Sequence, residues 1–186
     1  MIFKNVPYNI IPRSAYSDFF PPKPIGASSD IGKGDSMECV VFIGIQASGK
    51  TEFYKQNFFK THVRISLDML RTRRREDVLL NACIEAKQPF VVDNTNPTAK
   101  DRSKYIVAAR QGKFKIIGYY FQTDIKGSFE RNENRLGKEH LPRAAILWTH
   151  EKLELPSVEE GFDELKYVRI AEGFNFTVED FLYYEI

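Results

Sequence analysis

The stretch FIGIQASGKTEF, residues 42–53, decides the fold. Within it, Gly44 to Thr51 reads G-x-x-x-x-G-K-T, the spacing of a phosphate-binding loop. In a chain of ordinary composition and this length, the four fixed positions meet by chance about once in a hundred. The flanks sharpen the match. CVVFI (39–43) is a short apolar run of the kind that forms a buried parallel strand, and an amphipathic segment follows the loop. Gly44 and Gly49 permit backbone angles that aim amide N–H groups inward, and a helix from about Lys50 to Phe59 would add its positive N-terminal end. The expected ATP site is therefore Gly44, Ile45, Gln46, Ala47, Ser48, Gly49, Lys50 and Thr51. Lys50 would reach the β- and γ-phosphates, and the Thr51 hydroxyl would ligate Mg²⁺.

Outward from the loop, strand and helix patterns alternate. Strands are expected at 62–66, 90–93, 115–121 and 165–170. Helices are expected at 77–87, at 97–112 with Asn96 as cap and Pro97 in the first position, at 125–135 and at 143–152. GKEHLP (137–142) interrupts the last pair. The tail from Phe174 is expected to form a short helix or to pack irregularly. Such alternation gives an α/β fold, a five-stranded parallel sheet with helices on both faces and ligands at the carboxyl ends of the strands. The candidate residues lie at such ends: Gly44 onward, Asp68 and Asp93 onward.

Residues 1–36 differ. PPKPIGASSDIGKGDS (21–36) has linker composition without apolar periodicity. The aromatic residues before it either dock on the domain or take no fixed structure. Met37, just before the first strand, is a second position at which translation could begin. The expected division is an extension at 1–36 and a P-loop kinase domain at 37–186. Net charge is only +2, so charge alone does not argue for nucleic acid. Cys39 and Cys83 show no metal spacing and read as buried thiols. His62, His140 and His150 lack ligand spacing and read as structural. No apolar run reaches the ~18 residues of a membrane span and no signal-peptide core opens the chain, so a cytoplasmic protein is expected.

A phosphate loop says only nucleotide; the acceptor side must separate a kinase from other NTPases. The guanine-reading N-K-x-D pattern is missing. Asp93, ending FVVD, would complete the metal site with Thr51, or would cap the following turn. Asn94 and Thr95 weigh less, since Asn-Thr-Asn-Pro is good turn chemistry in any case. ISLDMLR (65–71) ends the second strand with Asp68 and, three residues on, Arg71. On a starting helix the two share a face. The carboxylate can take a hydroxyl proton while the guanidinium holds an acceptor phosphate.

From about Cys39 to Ala171 the chain resembles the polynucleotide 5′-hydroxyl kinase family. The resemblance rests on GIQASGKT, ISLDMLR, VVDNTNPTAKDRSKY (91–105), the lid-like RNENRLGKEHLP (131–142) and LPSVEEGFDEL (155–165). It implies an adenylate-kinase-like arrangement with a helical lid. It further implies an ATP- and Mg²⁺-dependent kinase acting on a nucleic acid 5′-OH in repair. Asp68 is then the general base, Arg71 the acceptor-phosphate ligand, Arg131 an ATP ligand and Arg135 the arginine that clamps the migrating phosphoryl group. Arg131 and Arg135, four apart, are expected on one helix face. The D-x-D-x-T phosphatase motif of the family's better-known members does not occur. RTRRR (71–75) reads either as a basic rim for a strand or as a solvated helix face. Two alternatives stay open: a kinase of a small metabolite or nucleoside, and an ATP-binding regulatory module.

Overall fold

Residues 39–43 are fully buried, as expected of a strand covered on both faces. The computed structural model describes residues 37–137, 140–172 and 175–182. In chain order the elements are β1 (Glu38–Ile43), α1 (Lys50–Asn57), β2 (Val63–Ile65), α2 (Leu67–Leu70), α3 (Arg73–Ala86), β3 (Phe90–Val92) and α4 (Ala99–Gln111). There follow β4 (Lys115–Phe121), α5 (Ile125–Glu133), α6 (Arg143–Glu151), a 3₁₀ turn (Val158–Glu160), β5 (Glu164–Ile170) and β6 (Phe176–Asp180). The sheet order is β2-β3-β1-β4-β5-β6. The chain runs from β1 to the edge at β2, returns through β3 beside β1, then crosses to β4. Loops at the carboxyl ends of β1, β2 and β3 therefore converge where that order reverses. The expectation for residues 1–36 falls outside the described residues.

Alternation along β1 divides the core. Cys39, Val41 and Ile43 face Leu80, Cys83, Tyr105, Ile106 and Phe162, under α3 and α4. Val40 and Phe42 face Phe53, Phe58 and Phe121, on the side of α1. The Phe42 ring lies 5.1 Å from Phe121 and 5.8 Å from Phe53, in edge or tilted contacts.

Several boundaries differ from expectation for physical reasons. Among the described residues there are six strands, not five. Strands β1 to β5 are parallel, whereas the tail forms β6, antiparallel to β5 with Val168 opposite Val178. Cross-strand ion pairs Lys166–Asp180 and Arg169–Glu179 hold this edge. Phe176 packs on Phe53 at 5.1 Å and closes over the loop: a Cβ added to Gly49 would stand 3.0 Å from its ring. Helix α3 begins at Arg73 rather than Asp77, because Thr72 Oγ1 caps it by accepting from Arg75 N. Helix α4 begins at Ala99, with Thr98 and Asp101 forming a reciprocal capping box. Asn96 is not the cap; it lies before it with a φ of 45°.

Fully buried Arg102 of α4 ties the loops together. Its Nε and Nη2 donate to the two Glu160 oxygens at 2.6 Å each. Its Nη1 donates to the carbonyls of Asn96, Pro97 and Glu154 at 3.1, 3.2 and 3.1 Å. Arg102→Ala should cost about 3–5 kcal/mol, since it strands a carboxylate and three carbonyls. A loss of unfolding free energy under about 0.5 kcal/mol in urea titration would contradict this account.

Candidate active site

The loop after β1 turns through three positive-φ residues, Gly44 (154°), Ala47 (58°) and Gly49 (91°). Its base is tied to the segment after β3: Gly44 N donates to Thr95 O at 3.0 Å, and Asn96 Nδ2 donates to Phe42 O at 2.7 Å. Lys50 folds back into the loop. Its Nζ donates to Gly44 O at 3.0 Å, to Ser48 Oγ at 3.1 Å and, closely, to Ile45 O. Burial lowers the Lys50 ammonium to about 8; Asp93 opposes this, Arg135 adds to it and Asp68 opposes it. Those couplings place Lys50, Asp93, Asp68 and Arg135 in one electrostatic neighbourhood.

Thr51 Oγ1 donates to Asp93 Oδ2 at 2.9 Å, joining the first turn of α1 to the end of β3. Arg64, in the middle of β2, completes the group. Its Nε and Nη2 lie 2.7 and 2.6 Å from Asp93 Oδ2, and its Nη2 donates to Thr51 Oγ1 at 3.1 Å. A buried carboxylate beside a hydroxyl is a hard oxygen donor set suited to Mg²⁺, which commonly adds substrate phosphates and waters to one or two protein ligands. In this structure the Arg64 guanidinium lies on those same two oxygens. No cluster of three or more acidic, His or Cys ligands occurs among the described residues. Sequence reasoning misses Arg64, which in V-R-I looks like an ordinary edge-strand residue.

Asp68 is exposed and makes no ion pair among the described residues. It is the second residue of α2, a single helical turn. Arg71, also exposed, is not on that helix: it is the left-handed C-cap, with φ 66°. The shared helix face of Asp68 and Arg71 is therefore not formed. The arginine run divides as well. Arg73 turns inward to Glu76 at 3.0 Å, while Arg74 and Arg75 line a groove of about 450 Å³ with Leu70, Val78, Leu79 and Ala82.

From α5, Arg131 Nε donates to Ala47 O at 2.7 Å, so this arginine already touches the phosphate loop. Arg135 lies two residues beyond the end of α5, not on a helix face shared with Arg131, and among the described residues it has no side-chain partner. Fully buried Asn132 pins the lid, exchanging two hydrogen bonds with the Leu141 backbone at 2.8 and 3.0 Å. Gln46 reaches α6, donating to Thr149 Oγ1 at 2.8 Å. No described helix is long and apolar enough to cross a membrane.

Comparison with known proteins agrees with this architecture. A family model described as an AAA domain matches residues 39–156. A bifunctional polynucleotide phosphatase/kinase of Schizosaccharomyces pombe is 28% identical over 143 residues, 73% of this chain and 34% of that protein. The chain thus spans about a third of the length of the curated relative it matches. A gluconokinase from Sinorhizobium meliloti superposes with a TM-score of 0.54 at 19% identity, covering 74% of this chain and 85% of the other. Kti12 of Chaetomium thermophilum, solved with ADP-AlF3, superposes with a TM-score of 0.58 at 16% identity, covering 72% and 91%. The fold is that of the P-loop kinases.

Proposed function

Because the chain belongs to the AAA domain family, we propose that this P-loop kinase transfers the γ-phosphoryl group of ATP to the 5′-hydroxyl end of a nucleic acid strand. The observation that carries the reading is the surface around Asp68. This exposed carboxylate lies within the field of Lys50, and Leu70, two residues on, lines a groove with an apolar floor and an arginine rim. An apolar floor suits bases and an arginine rim suits phosphates, the two repeating chemistries of a strand. Asp68 accepts the hydroxyl proton, Lys50 and the loop amides hold the donor, and Arg131 and Arg135 approach it from the lid side. Thr51 and Asp93 would hold Mg²⁺, which supplies charge neutralisation between the β- and γ-phosphates. The Schizosaccharomyces pombe relative is named for both phosphatase and kinase functions, and the likeness to it supports the kinase half of that name here.

Phosphoryl transfer to a nucleoside, a nucleoside 3′-monophosphate and a short 5′-OH oligonucleotide, beside ATP hydrolysis without acceptor, tests the proposal. The oligonucleotide should be used best. Equal rates on the nucleoside and the oligonucleotide would favour a small hydroxyl compound as substrate. Hydrolysis without transfer to any acceptor would favour a regulatory ATP-binding module.

A strand also predicts salt dependence. Affinity for a single strand should fall with salt, with a log–log slope of about −0.7 for each phosphate contacted. Arg74→Ala with Arg75→Ala should flatten that slope by about 0.7 for each arginine–phosphate pair removed and leave the KM for ATP unchanged. Arg73→Ala should leave the slope unaltered and instead destabilise the fold, because Arg73 serves buried Glu76. A flat slope in the unsubstituted protein would overturn the strand reading.

A further inference from the structure

The four-residue helix α2 is too short to hold itself together, since one turn fixes several dihedrals for very few hydrogen bonds. Its capping residue does not help. Ser66 makes no side-chain cap, and its Oγ is buried without a partner. The first amide of the helix is instead satisfied from another element: Leu67 N donates to Asn94 Oδ1 at 2.8 Å. Asn94 is itself held at its other end, where Nδ2 donates to Glu76 Oε1 at 2.8 Å and to Tyr105 OH at 3.2 Å.

Glu76 is the fixed point of this group. Its carboxylate is fully buried in the first turn of α3. It accepts from Tyr105 OH at 2.7 Å, Lys104 Nζ at 2.7 Å and Arg73 Nη1 at 3.0 Å, besides Asn94. Burial works against the charged form, but these donors outweigh it and hold the carboxyl below its usual range. An ionised carboxylate only accepts and a backbone N–H only donates, so the amide of Asn94 has one admissible orientation. Flipped, it would set oxygen against carboxylate and N–H against N–H.

Resting on the kinase reading above, we propose that Asn94, oriented by Glu76, is a positioning residue that fixes α2 and thereby holds the Asp68 carboxylate where it accepts the hydroxyl proton. Asp68 follows the bonded amide directly. The residue before Asn94 is Asp93, which holds Thr51 of the donor loop. Consecutive residues of one loop thus set the donor side and the acceptor side of the reaction. Displacement of a reacting group by about 1 Å is enough to cost about 10² in rate.

The test uses Asn94→Ala, Asn94→Asp, and Asn94→Asp combined with Glu76→Gln. Asn94→Ala should lower kcat for transfer about 10- to 100-fold. The KM for ATP and acceptor-free ATP hydrolysis should stay within about twofold, a split that general loosening of the fold would not produce. Asn94→Asp should be impaired, because it sets a second carboxylate against that of Glu76. The double variant should recover most of the loss. Its glutamine amide at position 76 can donate to the new carboxylate at position 94, which still accepts from Leu67 N. Amide exchange over residues 66–71 should quicken about tenfold in Asn94→Ala and return towards normal in the double variant. Exchange unchanged in Asn94→Ala, or transfer and hydrolysis falling together, overturns the positioning role. Should the unsubstituted chain use no hydroxyl acceptor, the kinase reading fails, and the exchange measurement alone still decides whether Asn94 holds α2.

Discussion

Lys50→Ala should lower phosphoryl transfer by at least about 10³-fold, more than any other single change to the donor loop. Losing one preorganised stabilising group typically costs about 10²–10³, and Lys50 does more than meet the phosphates. Without nucleotide its ammonium holds two carbonyls and the Ser48 hydroxyl inside the loop. Those acceptors lose their partner in the variant, so the loop loses its shape as well as its charge. A polyanion entering the loop would offer Lys50 far better partners than two neutral carbonyls, and the exchange would draw the ammonium towards the phosphates. The variant should therefore bind ATP more weakly and also transfer it more slowly once bound. Single-turnover transfer with labelled ATP at saturating nucleotide separates the two effects. Retention of a tenth of the normal rate would remove Lys50 from the chemistry.

The donor loop is legible in the sequence because its determinants are local. Two glycines, a lysine and a threonine act through backbone geometry within eight residues, and the flanking strand and helix carry strong patterns of their own. The parallel strands are legible for the same reason: residues buried on both faces leave continuous apolar runs. What escapes depends on partners distant in sequence. Arg64 matters because β2 lies beside β3 and carries it to Asp93, 29 residues on. Glu76, in a run of charges, reads as solvated surface, yet it is buried because Lys104 and Tyr105 of α4 reach it. Strand β6 escapes because its polar, mostly exposed residues carry little apolar signal, and its place is decided by β5. The pattern misplaces Arg71 because nothing in ISLDMLR announces that the helix ends after four residues. At Asn96 two local signals compete: Asn-Pro suggests a cap, but Thr98 with Asp101 makes the stronger reciprocal one.

The loop 93–96 gives the site its coherence. Asp93 bonds Thr51, Asn94 bonds the start of α2, Thr95 O receives the Gly44 amide and Asn96 bonds Phe42 O. Four successive residues connect the phosphate loop, its supporting strand and α2. Turn chemistry alone would not require four outward connections, so VDNTNP is better understood as the frame of the site than as a generic loop.

Asp68→Asn should lower transfer by about 10²–10⁴, the scale of a lost general base, while ATP binding stays intact. The geometry makes the separation clean. Asp68 is exposed on its one-turn helix and has no ion pair among the described residues, so its loss strands no buried partner. Asp93 is the opposite case: it is buried, and it bonds both Thr51 and Arg64. Asp93→Asn should therefore weaken ATP and metal use together, whereas Asp68→Asn should slow only transfer. Removing the Asp68 charge also takes away one of the influences that keep Lys50 protonated, so the lysine should lose its proton somewhat more readily. ATP affinity is best compared near pH 7, below the value of about 8 to which burial lowers Lys50, where that change matters least. Titration calorimetry gives the affinity and rapid-quench transfer gives the rate. A collapse of ATP binding with a normal residual rate would move Asp68 to the metal side, and an unchanged transfer rate would leave the acceptor hydroxyl without the base assigned to it.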